Sequence, residues 1–222
     1  MHPRAAPPTS ANVRAGRDII ARHGETVFNA AGRFQGEVPH TPLTRAGFAQ
    51  ADAIGRALRD LLGPRPALTL WASPTGRALQ TLAVVVEHLE LDWHAVRTDP
   101  RLGELDFGSW GGLTYAEIVA KAGPIVRADG LLRPCPDGET YPAMATRLAG
   151  WIADSDGPGD RLVVMHGLSS RVLRGLLTDA AIDADLDVPV APGLPQGSAV
   201  LVEHGGEQVV HRGTGAHRGG AA

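Results

Sequence analysis

Three short apolar runs in this chain each lead to a residue that can handle an anion. Asp18-Ile19-Ile20-Ala21 is followed at once by Arg22-His23-Gly24-Glu25-Thr26. Leu68-Thr69-Leu70-Trp71-Ala72 leads through Ser73-Pro74 to Arg77, and Leu162-Val163-Val164-Met165 ends at His166-Gly167. A guanidinium grips two oxygens at once, and an imidazole of near-neutral pKa can act as nucleophile. A glycine lets the backbone turn and approach a ligand closely. Together these groups suit phosphoryl chemistry. Taken singly each is ordinary, since an isolated histidine is more often a satisfied structural residue. The weight lies in the repetition of strand, functional residue and helix.

Elements that could position these residues follow from the pattern. Runs of this length and branching are buried strands. A helix over 44–62 is expected, with Thr44 as N-cap, Leu43 and Phe48 as a hydrophobic staple, and Gly63-Pro64 as the stop. Ser73-Pro74 is expected to open a helix with Leu82, Val85, Val86 and Leu89 on one face. Further helices are expected over 114–121 and 141–152, and after His166-Gly167 with Val172, Leu173, Leu176 and Leu177. A short strand over 94–97 and a hairpin of 199–202 with 208–211 around Gly205-Gly206 complete the sheet. Segments 29–42, 101–110 and 123–136 are expected to be irregular, and the first is long enough to fold over a site. Strands joined by helices tend to be parallel, so Arg22, His23, Arg77 and His166 should meet at the carboxyl edge of one sheet.

Composition narrows the classes. The 222 residues are 43% hydrophobic and 20% charged, ordinary for one globular α/β domain. A net charge of −3 argues against nucleic-acid or anionic-membrane partners, so affinity for an anion must come from a local arginine cluster. The single cysteine, Cys135, excludes a disulfide framework and fits a reducing cytoplasm. No apolar run approaches the roughly 18 residues of a membrane span. Residues 1–16 are expected to be a disordered leader, 17–212 one domain, and 213–222 a flexible tail.

In order along the chain, the segments resemble the histidine phosphatase superfamily, also called phosphoglycerate mutase-like. They are Arg22-His23-Gly24-Glu25-Thr26 with Asn29, Gly32-Arg33-Phe34-Gln35-Gly36, and Pro42-Leu43-Thr44 with Gly47. Ser73-Pro74 with Arg77-Ala78 and Gln80-Thr81 follows, then Leu102-Gly103-Glu104 with Phe107-Gly108 and Trp110, Gly138-Glu139, and His166-Gly167 with Arg171. The resemblance implies a three-layer α/β/α fold with a mixed, mostly parallel sheet, and a covalent phosphohistidine on His23. It implies that Arg22, Arg77 and His166 surround the phosphoryl group, that Asn29 and the amides near Gln35, Gly36 and Gly167 assist, and that Glu104 donates the proton. No cofactor or metal is expected, and the state is expected to be monomer or homodimer with a small phosphorylated substrate.

Alternatives stand beside this. Glu25, Asp106 and Glu139 are other carboxylates near enough to be the acid. Asn29 could merely cap a turn, and Trp110 could line the pocket while Trp71, Trp93 and Trp151 are core or partly buried filling. His40, His88, His94, His204 and His211 have no motif support. A cysteine-phosphatase loop from Cys135 would need arginine at position 141, which is Tyr141. Gly213-Thr214-Gly215 and Gly167-Leu168-Ser169-Ser170 lack the settings of a dinucleotide site and a serine-hydrolase elbow. Within the family, Glu104-Leu105-Asp106-Phe107-Gly108-Ser109-Trp110 resembles the phosphatase branch, and the segment after it lacks the paired arginines of the mutases. A phosphoglycerate mutase and a catalytically silent phosphate-binding module are the competing readings. One departure is Gly111-Gly112, where that branch carries a glutamate and then glycine.

Overall fold

A computed structural model describes residues 14–36 and 38–215. Residues 1–13 of the expected leader and 216–222 of the expected tail lie outside the described residues. Arg14 lies against the domain, its guanidinium donating to the Gly157 and Gly159 carbonyls and its Nε 3.4 Å from Asp18.

The main sheet has six strands. Their spatial order is β3 (Arg97–Thr98), β2 (Leu68–Ala72), β4 (Asp160–Met165), β1 (Asp18–Arg22), β7 (Ala199–Glu203) and β8 (Gly206–His211). The first four are parallel, and the hairpin β7–β8 runs antiparallel against β1. The two central strands have no polar face because both sides are covered. Ile19, Ala21, Leu162 and Val164 enter one core with Ile54, Leu58, Leu82 and Val85 from α2 (Arg45–Leu62) and α3 (Gly76–Leu89). Ile20, Val163 and Met165 enter the other, with Met144, Leu148 and Trp151 of α5 (Tyr141–Asp154) and Val172 and Leu173 of α6 (Gly167–Leu177). Alternation along each strand therefore feeds two apolar layers, giving the expected α/β/α sandwich.

A buried ion pair fixes the register of the central pair. Arg161 stands opposite Asp18 across β4 and β1, and its Nε and Nη2 donate to the two carboxylate oxygens at 2.6 and 3.0 Å. The same guanidinium stacks 4.6 Å from the ring centre of Trp151.

Several local expectations are corrected. Thr44 does cap α2, accepting from the Gly47 amide, while Phe48, expected in a staple, is 44% exposed. The α3 helix begins at Gly76 with Thr75 as N-cap, two residues after Ser73, because the Ser73 hydroxyl is engaged with His166 instead. A 3₁₀ turn Trp93–Ala95 precedes a two-residue β3, in place of one strand over 94–97, and Trp93 is 40% exposed rather than core. The segment 29–42 is entered through a one-turn helix α1 (Val27–Ala30), too short for any periodicity to show. It is held by Thr26 as N-cap with Asn29 in a reciprocal capping box. Helix α4 (Tyr115–Ala122) is capped the same way by Thr114 and Glu117. A small ribbon of β5 (Ile182–Asp183) and β6 (Val188–Pro189) has no sequence signal of its own.

Candidate active site

Parallel pairing brings the carboxyl ends of β1, β2 and β4 to one rim, as expected. At the end of β1 the backbone is tied on both sides: the Arg22 amide donates to Ser198 O (2.9 Å) and the His23 amide to Met165 O (3.0 Å). His23 is only 3% exposed. Its Nδ1 lies 2.7 Å from the carbonyl oxygen of Gly24, which can only accept, so Nδ1 carries the hydrogen and Nε2 keeps the lone pair. Burial, and then the Arg77 and Arg22 guanidiniums, hold the His23 pKa well below the ordinary imidazole value, against the opposing effect of the Gly24 bond. The imidazole is therefore neutral, with a lone pair on Nε2.

His166 is the N-cap residue of α6 and is fully buried. Arg77 Nε donates to its Nδ1 at 3.3 Å, which places the hydrogen on Nε2, and that group donates to Ser73 Oγ at 2.8 Å. The two imidazoles meet edge to face, with ring centres 5.2 Å apart. Burial, then Arg77 and His23, push the His166 pKa down as well.

Arg77 sits in the first turn of α3, where a cation opposes the helix dipole. Its bonds explain the placement. Nη2 donates to Gly36 O at 2.6 Å, and Nη1 to Val38 O at 2.7 Å and Thr41 Oγ1 at 3.2 Å. It thereby ties Gly36, Val38 and Thr41 to the rim. Burial lowers its pKa to about 10, partly offset by Glu104, so it stays charged at neutral pH. Gly36 has φ +51°, a left-handed turn that presents its carbonyl to Arg77. The Gln35 carbonyl oxygen accepts from Thr26 and Thr41 hydroxyls at 2.8 and 2.6 Å, so its NH2 is the end available to a ligand. Asn29 is similar: Oδ1 accepts from the Thr26 amide at 3.1 Å, combining the capping role with a place on the rim.

Glu104 reaches the site from a loop. Its carboxylate accepts from the amides of Leu168 (3.1 Å) and Ser169 (2.9 Å) in the first turn of α6 and from its own neighbour Leu105 (3.0 Å). A carboxylate there meets the positive end of the helix dipole. The rival acids are engaged elsewhere: Glu25 accepts from Thr44, Asp106 from the Gly108 amide, and Glu139 pairs with Arg147.

One cavity of about 90 Å³ is lined by Arg22, His23, Arg77, Glu104, His166 and Gly167, with Asn29, Gln35 and Gly36 along its edge. The structure thus brings together Arg22, His23, Asn29, Gln35, Gly36, Arg77, Glu104, His166 and Gly167, the residues that the resemblance assigns to the phosphoryl site. Among the described residues Glu104 is the cavity's one lining carboxylate. Beyond them the walls include Phe34, Phe107, Leu132 and Leu194 and the cations Arg33 and Arg171. These carry no chemistry-bearing spacing, although Arg33, Phe34, Phe107 and Arg171 fall within the resemblance segments. Trp110 does not line the cavity; it is buried in the hydrophobic cluster. Cys135 is buried and donates to Asp137 at 2.8 Å, away from the cavity.

Comparison with known proteins agrees with this geometry. Residues 19–213 match the histidine phosphatase superfamily (branch 1), and the chain belongs to that family. A glucosyl-3-phosphoglycerate phosphatase of Mycobacterium tuberculosis is 38% identical over 110 residues, covering 50% of this chain and 46% of the relative. The match therefore spans under half the length of that protein. An adenosylcobalamin/alpha-ribazole phosphatase of Salmonella typhimurium is 30% identical over 171 residues, 72% of this chain and 78% of the relative. Among solved structures, a mycobacterial glucosyl-3-phosphoglycerate phosphatase in complexes with VO3 superposes with a TM-score of 0.66 at 26% identity. That match covers 90% of this chain and 100% of the other. The mixed, mostly parallel sheet between helices is the fold of these neighbours.

Proposed function

We propose that the chain is a phosphomonoester hydrolase that acts through a phosphohistidine on His23. The observation that carries this is the pinned imidazole: Nδ1–H is held by Gly24 O, and Nε2 shares a cavity with the Arg22 and Arg77 guanidiniums, the His166 imidazole and the Glu104 carboxyl group. In the first step Nε2 attacks phosphorus and the phosphorus–oxygen ester bond breaks. Glu104 gives its proton to the leaving alkoxide, releasing the alcohol. In the second step a water oxygen attacks the phosphohistidine, its proton passes to Glu104, and the phosphorus–nitrogen bond breaks to give inorganic phosphate. Little else is needed beyond holding charge and aligning attack. Arg22 and Arg77 offset charge on the transferred oxygens, and His166 Nε2–H is a donor that an anion would share with Ser73.

The named relatives support small phosphorylated metabolites as the substrate class, and the apolar wall beside Arg33 and Arg171 fits a leaving group larger than a simple alcohol. The depressed imidazole pKa values support an acid phosphatase-type profile. The test is phosphate release from a panel of phosphomonoesters, including glucosyl-3-phosphoglycerate and α-ribazole phosphate, with chelator present. Quenching in alkaline detergent should trap a phosphoprotein that survives base and loses its phosphate in acid. Release by His23→Ala at the wild-type rate would end the reading.

A further inference from the structure

Glu139 is placed close enough in sequence to be a rival acid, and the fold gives its carboxylate another task. Arg147, on α5, donates through Nε and Nη2 to its two oxygens at 2.6 and 2.9 Å. The same guanidinium continues into the loop that carries Glu104. Nη1 donates to the carbonyls of Arg101 and Gly103, the latter at 3.1 Å, and Nη2 donates to the carbonyl of Glu104 itself at 3.1 Å. On the far side, the Glu139 amide donates to Asp106 O at 2.9 Å. The acid is thus bracketed by one ion pair whose two members hold the backbone before, at and just after it.

This loop needs such a strap. Regular structure stops with the 3₁₀ turn Pro100–Leu102 and does not resume until another at Gly108–Trp110, so no ladder fixes the Glu104 backbone. The α6 amides hold the carboxylate end, but a side chain with three rotatable bonds stays aimed only if its Cα is also held. Arginine can bind a carboxylate and several carbonyls with one planar group, which an ammonium cannot reproduce.

We propose that Arg147, oriented by Glu139, is a positioning residue for Glu104, setting the distance from the acid to the leaving oxygen. The idea rests on the hydrolase reading above. A purely structural staple between α5 and the loop would slow all esters alike, whereas a strap on the acid should matter most where the leaving group needs a proton. The measure is kcat/KM, which covers steps only through phosphoryl transfer to His23. Arg147→Lys and Glu139→Gln should each lose about 10–100-fold on an alkyl ester such as glycerol phosphate. Loss on p-nitrophenyl phosphate, whose leaving group departs unprotonated, should stay within about threefold. Adding Arg147→Lys to Glu104→Gln should cause no further loss on the alkyl ester, because the strap acts only through the acid.

Equal loss on both esters, no loss on either, or losses that multiply in the double variant would overturn the proposal. Melting curves run alongside identify a variant that fails to fold, and Glu139→Gln, which keeps the Arg147 side chain but removes the charge that orients it, then decides. Wild-type protein that releases phosphate from neither ester refutes the hydrolase reading, and this inference falls with it. Wild-type activity with no leaving-group selectivity in the variants refutes the inference alone.

Discussion

The two ends of the β1–β4 strand pair treat buried charge in opposite ways. At the rear, Arg161 meets Asp18 directly, two oxygens for two N–H groups, with both side chains at most 3% exposed. At the front, Arg77 is nearly as buried, yet its bonds go to the neutral oxygens of Gly36, Val38 and Thr41 and to an imidazole. The rear charge is answered by an opposite charge built into the sheet. The front charge is kept by neutral dipoles, which leaves its field available to a mobile anion. Arginine is structural at one end and, in the proposed mechanism, holds the anion at the other, and what separates Arg161 on β4 from Arg77 on α3 is the partner.

His23→Ala tests the front most severely. It removes the attacking nitrogen itself, and kcat/KM should fall by about a thousandfold or more on alkyl and aryl esters alike. Because the imidazole is buried neutral among cations, melting should change far less than activity. A variant that keeps its rate would erase the distinction between the two ends.

Asp18→Asn makes the converse change at the rear. It leaves the Arg161 guanidinium buried without its counter-charge, at a cost of about 3–5 kcal/mol. For a domain of this size that lowers Tm by roughly 10 °C. Measured well below Tm, kcat/KM should stay within about twofold, since the site lies at the other end of the strand. A large rate loss in folded protein would mean that the rear pair tunes the site.

The contrast also explains what could be read from the chain. Asp18 and Arg161 lie 143 residues apart, and nothing in either neighbourhood announces the other. His23, Arg77 and His166 were legible because each follows an apolar run, and parallel connections must bring such ends to one edge. Glu104 was harder: it sits on an irregular loop, with rival carboxylates close by, and only its bonds to the Leu168 and Ser169 amides separate it from them. Ser73 shows the limit of local rules. Its type and the following proline are right for a helix cap, and the hydroxyl was claimed instead by an imidazole 93 residues away. Helix α1 and the β5–β6 ribbon are too short for periodicity, and no motif or spacing marks Arg147 on α5.

Gly167→Ala probes the front more gently. An added Cβ would lie 3.1 Å from Arg22 Cζ and 3.2 Å from its Nε, closer than ordinary contact. Helical geometry itself is unaffected, so the protein should fold with near-normal Tm while the Arg22 fork is pushed off its place. A loss of about tenfold in kcat/KM is expected, smaller than removal of a donor outright. No loss would show that Arg22 does not depend on the close approach of α6.

The smallest effect is that of pH, and its sign separates a buried neutral site from a solvated one. An imidazole of ordinary pKa would lose roughly fourfold of its neutral form between pH 7.5 and 6. His23 is depressed well below that value, so it is unprotonated across the interval and kcat/KM should change by less than about twofold on its account. Stability should respond where activity does not. Unfolded chains take up protons on these histidines near pH 6.5, whereas the native state resists, so native stability declines as pH falls below about 6.5. Above that pH neither state is protonated at these positions and their contribution to the slope vanishes. Replacing His23 with Asn removes one of the two groups and should flatten the slope of unfolding free energy between pH 6.5 and 5. An unchanged slope, or a rate that drops fourfold by pH 6, would show that the nucleophile titrates as a solvated imidazole and that the front of the sheet is open to water.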